Sequence, residues 1–155
     1  MKHRINAQMS QSETYVYFAL YGTDSEPNSD FDPDEVTKKL GINPTRAWRK
    51  GDKKTLSGIE YKYAGWIWET NRGTEPIWVD KLVTKVVDAF EYRIDAIVEL
   101  KRELQLESIL GIILYVDMNE ENSTPALGQD LRTIKFLYET QTYIDVDIYR
   151  YDSSN

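Results

Sequence analysis

The sequence predicts an α+β fold: a two-layer sandwich in which a four- or five-stranded, mostly antiparallel or mixed sheet carries helices on one face. Three observations lead there. The apolar periodicity runs strand, helix, strand, helices, strand, helix, strand along the chain. The first and last strands are apolar on one side only, which leaves an open sheet face that a doubly wound fold does not have. The length, 155 residues, suffices for one sizeable core and not for two. A single domain over residues 13–151 is expected, preceded by a flexible N-terminus over residues 1–12.

Residues 13–21 alternate with period two. Val16, Phe18 and Leu20 face one way, and Tyr15, Tyr17, Ala19 and Tyr21 the other. Loop chemistry follows, with Gly22, Pro27 and Asn28 among several acids. Asp32, Pro33 and Glu35 stand as N-cap, first helical residue and capping-box partner of a short helix that Gly41 ends. A brief strand is expected around Ala47–Arg49. A stronger one is expected over Ile59–Thr70, with Tyr61, Tyr63 and Ile67 on one face and Ala64, Trp66 and Trp68 on the other.

Pro76 opens the main helical region, where Val79, Leu82, Val83, Val86 and Phe90 recur at helical spacing and mark a core face. The phase slips near Tyr92, so the region is either one bent helix or two in succession. Residues 109–118 are almost continuously apolar and too short for a membrane span, which predicts an interior strand. After a polar loop, Leu131, Ile134, Leu137 and Tyr138 mark the apolar stripe of a third helix. The closing strand places Ile144, Val146 and Ile148 inward and Tyr143, Asp145, Asp147 and Tyr149 outward.

The composition narrows the chemistry. Cysteine is absent and histidine occurs once, as His3, which leaves no thiolate nucleophile, no Cys-based metal site and a poor basis for a Ser-His-Asp triad. The net charge of -7 argues against a broad footprint for duplex nucleic acid or an anionic membrane. Residues 1–9 have no apolar run of a signal peptide, so a cytoplasmic protein is expected. No phosphate loop, dinucleotide fingerprint or nucleophile elbow is present, and no cofactor is indicated. The 11 Tyr and 4 Trp outnumber the 4 Phe, so most aromatic surface has a polar handle suited to half-buried faces and binding patches.

Two clusters are candidate sites. The outward residues Tyr15, Tyr17, Tyr21, Tyr143, Asp145, Asp147 and Tyr149 would form one acidic, Tyr-rich surface if their strands lie together, a composition that suits a protein partner with a basic patch. The same open face could equally join a second copy of the chain into a homodimer. Asp145 and Asp147, two apart on one strand face, could share a divalent cation or act as an acid/base pair, although further metal ligands are not evident. The alternative cluster is the basic stretch with Arg46, Trp48, Arg49 and Lys50, where Arg forks and an indole would hold an oxyanion or small ligand and Trp66 or Trp68 would form a wall. The structural alternative for that stretch is a solvated hairpin with Trp48 packed on Trp66 or Trp68.

Particular strings also resemble a family. Asp32-Pro-Asp-Glu-Val, Leu40-Gly-Ile-Asn-Pro-Thr, Trp48-Arg-Lys-Gly-Asp, Gly65-Trp-Ile-Trp and Ile144-Asp-Val-Asp-Ile-Tyr are similar to a bacterial uncharacterised family, domain of unknown function 4279. The resemblance spans about residues 13–149. It implies a single domain in a bacterial, intracellular setting and brings no reaction, cofactor or catalytic residue with it. The function expected from the residues is therefore a binding domain, an immunity-type protein inhibitor that uses the acidic Tyr face. The small-ligand domain at the Trp48 stretch and a carboxylate- or metal-dependent enzyme are the alternatives.

Overall fold

The computed structural model describes residues 13–72 and 78–154. The expectations for residues 1–12 and for the opening of the helical region at Pro76 lie outside the described residues. The elements are β1 (Tyr15–Tyr21), α1 (Pro33–Leu40), β2 (Arg46–Trp48), β3 (Gly65–Glu69), α2 (Val79–Phe90), α3 (Ile94–Leu104), β4 (Glu107–Asp117), α4 (Leu131–Thr140) and β5 (Tyr143–Tyr151), with a 3-10 turn over Glu91–Arg93. They form one five-stranded sheet in the order β2-β3-β1-β4-β5. Three pairings are antiparallel, and β4 and β5 run parallel, joined through α4. The expected α+β sandwich with a mixed sheet is the observed architecture.

β1 lies at the centre, paired on both sides, and its alternation decides the layers. Val16, Phe18 and Leu20 are fully buried and share one core with Trp66 of β3, Leu110, Ile112 and Leu114 of β4, and side chains from all four helices. The centre of that core is aromatic. Phe90, the last residue of α2, packs on Phe18 at 4.6 Å and meets Trp68 and Trp66 edge-on at 5.6 and 6.1 Å. Phe136 of α4 meets Phe18 at 6.0 Å.

Helix ends are closed by named side chains. Asp32 caps α1 through its carboxylate on the Asp34 N–H, 3.0 Å, and Gly41 ends it at φ 66°, where a side chain would be strained. The reciprocal capping-box bond expected from Glu35 is not formed among the described residues, so the cap is one-sided. At the phase slip, Arg93 donates to the Leu40 carbonyl of α1 and the Ala89 carbonyl of α2, both at 2.7 Å. One cation thus satisfies the C-terminal ends of two helices, and α2 and α3 become separate elements there. Lys101 of α3 does the same for α4, donating to the Thr140 and Gln141 carbonyls and to buried Ser108 Oγ.

Three expectations need correction. The second strand is confined to Gly65–Glu69, because residues 51–61 fold back on themselves through Gly51 N–H to Tyr61 O, Tyr61 N–H to Asp52 O and Lys54 N–H to Ile59 O. The buried stripe of α4 is Thr133, Phe136, Leu137 and Thr140. Leu131, Ile134 and Tyr138 are 83%, 50% and 75% exposed, because α4 turns Phe136 and Leu137 to the core and no described element covers its other faces. Finally, Ile144, Val146 and Ile148 do lie on the helix side, in register with Leu110, Ile112 and Leu114. They nevertheless remain 39%, 37% and 56% exposed, because β5 is an edge strand and the helices cover the sheet only as far as β4.

The far end of β5 is pinned by Asp117. Its carboxylate accepts from Ser153 Oγ at 2.6 Å, from the Ser153 N–H at 3.0 Å and from the Asn119 N–H at 3.1 Å.

Two predictions arise from this packing. Phe90→Ala is expected to cost about 3–5 kcal/mol in denaturant unfolding, because it empties the aromatic centre. Tyr92→Ala, two residues on and 87% exposed, is expected to stay within about 0.5 kcal/mol. The hydrogen bonds to Asp117 hold its carboxyl down to about 2, below its unfolded value. The stabilisation it provides is therefore complete above about pH 4 and is lost as the pH falls toward 2. Asp117→Asn is expected to flatten that acid limb, read as unfolding midpoint against pH.

Candidate functional site

The face of the sheet away from the helices is built by the odd-numbered residues of β1. Register places Ile67 beside Ala19, and Ile109 on its other side, next to Tyr143. Tyr17, Gly111 and Asp145 form the next row, and Tyr15, Ile113 and Asp147 the one after. Tyr115 is paired with Tyr149. No helix of the described residues covers this side, yet Ala19 is 0% and Ile67 1% exposed. Aromatic side chains stand in the rows on either side of them.

Two glycines make that possible. A methyl group at Gly111 would meet the Tyr17 ring and hydroxyl at 2.0–2.5 Å, and one at Gly65 would meet the Trp48 indole at 2.3–2.8 Å. Both rings therefore lie flat across the neighbouring strand in space that any side chain would occupy. Trp48 is held from two further sides, by stacking on Tyr61 at 4.4 Å and by donating from Nε1 to the Tyr63 carbonyl at 2.9 Å. Tyr21 lies 6.2 Å from Trp48 and 5.9 Å, edge-on, from Tyr63. Tyr149 stacks on Tyr115 at 5.1 Å.

The first candidate cluster is thus brought together, by an unexpected route. β1 and β5 are separated by β4, and Tyr17 spans the gap because Gly111 between them has no side chain. Burial pushes the hydroxyls of Tyr15, Tyr17 and Tyr21 up, and the Asp145 and Asp147 carboxylates push Tyr17 further in the same direction. All three remain neutral donors around physiological pH. Asp145 and Asp147 have no hydrogen-bond or ion-pair partner among the described residues. No three His, Cys, Asp or Glu side chains converge on a metal position among the described residues.

The alternative cluster is divided by the sheet. Arg46 and Trp48 lie on the open face, beside Ile67 and Gly65. Trp66 and Trp68 pair with Leu20 and Phe18 and point into the core. They therefore form neither a wall for a ligand nor a surface for Trp48 to pack on. The basic side chains are also matched: Arg46 with Glu69 at 3.1 Å, Arg49 with Asp30 at 2.7 Å, and Lys50 with Glu26 and Ser29. Glu69 additionally meets Arg72 at 3.6 Å, and the Arg72 guanidinium sits 3.8 Å over the Tyr15 ring.

A family model described as domain of unknown function (DUF4279) matches residues 12–151. The chain belongs to that family. No curated protein and no solved structure matches it. In this DUF4279 domain the strings that carried the resemblance have distinct jobs. Thr45, ending Gly-Ile-Asn-Pro-Thr, fastens the entry of β2 to β3: its N–H donates to the Ile67 carbonyl and its Oγ1 accepts from the Glu69 N–H. Asp52 of Lys-Gly-Asp closes its own turn on the Arg49 N–H at 2.8 Å. In the terminal Asp-Val-Asp-Ile-Tyr, Asp145 and Asp147 are exposed and unpaired among the described residues.

Sequence reasoning missed Gly111, Tyr115 and Arg72 as parts of this face. Gly111 had a readable signal, a glycine inside an otherwise apolar strand, which marks close approach by another group. Gly111→Ala is expected to lift the Tyr17 ring and destabilise the DUF4279 domain by about 1–3 kcal/mol. In a Tyr17→Ala background the same change is expected to be neutral or to stabilise by about 0.5–1 kcal/mol. A double-mutant cycle in denaturant checks the coupling. Gly65→Ala is expected to cost more than Gly111→Ala, since Trp48 has no free direction in which to move.

Proposed function

We propose that this domain is a binding module for a partner protein with a basic surface patch, in the manner of an immunity-type inhibitor working in the cytoplasm. The observation that supports it is the charge matching of the open face. Arg46, Arg49, Lys50 and Arg72 are each already paired with a carboxylate, whereas Asp145 and Asp147 are unpaired among the described residues and stand between Tyr17 and Tyr149. A cationic side chain docking there gains two carboxylates and aromatic walls without breaking an existing ion pair. The flat rings add rigid contact area that loses little entropy on binding. Tyr143 extends the surface at one end, and Tyr15 and Tyr21 back it.

The test is affinity capture from a lysate of the source organism, followed by titration of the purified partner. The double variant Asp145→Asn/Asp147→Asn is expected to weaken binding by about tenfold or more and to lose most of the salt sensitivity. Its thermal midpoint is expected to stay within about 2 °C of the parent, because neither carboxylate bonds to the fold among the described residues. An unchanged affinity at an interface mapped to this face would remove the two acids from the role.

A further inference from the structure

The open face already holds guanidinium groups of its own, and they show what its chemistry accepts. Register sets Glu69, Tyr17, Gly111 and Asp145 in one row across four strands, so Tyr17 stands between a carboxylate on the β3 side and another on the β5 side. The β3 side is complete. Glu69 accepts from Arg46 at 3.1 Å and pairs with Arg72 at 3.6 Å. Each of these arginines also lies over a ring: Arg72 is 3.8 Å from the centre of Tyr15, and Arg46 5.8 Å from the centre of Trp48. A carboxylate at the edge and an aromatic ring at the face is thus the setting of both. Lys54 differs, lying 5.3 Å from the Tyr61 ring centre with no ion pair among the described residues.

The β5 side repeats the carboxylate and the ring without the cation. Asp145 and Asp147 are exposed and unpaired among the described residues. Tyr149, next on the same strand face, stacks on Tyr115 at 5.1 Å and is half exposed. The two acids are two residues apart on one strand, roughly 6.6 Å between alpha carbons. A planar guanidinium can turn one edge to each carboxylate while its face rests on a phenol ring, and its weak hydration makes that contact inexpensive. An ammonium group is a compact, strongly hydrated point charge with no face to stack. We propose that the end of the open face formed by Asp145, Asp147 and Tyr149 is an arginine-recognition site, which seats one guanidinium of a partner protein between the two carboxylates and the Tyr149 ring. This inference rests on the partner-binding reading and narrows its basic patch to one residue type.

Blocked tripeptides test the site on the full chain. Acetyl-Gly-Xaa-Gly-amide with arginine, lysine or citrulline at the centre is titrated into the isotopically labelled protein, and binding is followed by the amide shifts of β4 and β5. The arginine peptide is expected to bind at least about fivefold more tightly than the lysine peptide. Citrulline, which keeps the shape and loses the charge, is expected to bind more than about tenfold more weakly than arginine. Asp145→Asn/Asp147→Asn is expected to weaken the arginine peptide by about tenfold or more. Tyr149→Ala is expected to bring arginine down to the level of lysine, and Tyr149→Phe to keep the preference because the ring remains. All three side chains are exposed, so each variant is expected to retain the parent circular dichroism spectrum. Lysine bound as tightly as arginine, with both lost in the double asparagine variant, would overturn the arginine assignment and leave the basic-partner reading standing. Shifts confined to other elements, or no saturable binding of either cationic peptide, would overturn the site itself.

Discussion

Everything in this fold is referred to the contact between Phe90 and the inner face of the sheet. Phe90 closes α2, rests on Phe18 of the central strand and touches both tryptophans of β3. One ring therefore sets the height of the helical layer over two strands at once. It also stands where the helical region breaks, so α3 leaves at a new angle while Arg93 closes the carbonyls that the break exposes. Most large apolar residues commit to this side, and the outer side carries tyrosines, one tryptophan and charge over Ile67, Ile109 and Ile113. A layer of aromatic rings too polar for a dry core becomes the other surface of the same sheet.

The sequence was informative where periodicity is tied to a single partner. β1 and α2 each have one buried side set by one period, and their residues could be assigned to inside or outside without knowing the neighbours. The same reasoning failed for α4 and β5. Both are apolar on the expected face, but a pattern records which side is apolar, not whether another element arrives to cover it. Ile134 and Ile148 are apolar and exposed for that reason. The Tyr/Asp face was legible residue by residue, whereas its assembly depended on Gly111, whose role lies in what it lacks. The pairing of Trp48 with Trp66 and Trp68 failed for a simpler reason: residues 46–54 read as one basic tract, and only strand register reveals that β2 and β3 place their tryptophans on opposite sides of the sheet.

The charges divide just as clearly. The β2–β3 end of the open face is internally neutralised, with Glu69 held between Arg46 and Arg72. The β5 end is not. An acidic chain can keep two carboxylates unmatched at its edge without a large penalty because both remain in water.

The glycines under Tyr17 and Trp48 have a broader consequence. The relief of the open face is written in side-chain torsions laid over a backbone that the core fixes from below. Its topography can be redrawn by one small residue beneath a ring, with no change of strand order or helix packing. Such a surface can diversify quickly over a conservative scaffold, because the residues that shape it and the residues that fold it occupy opposite sides of the same strands.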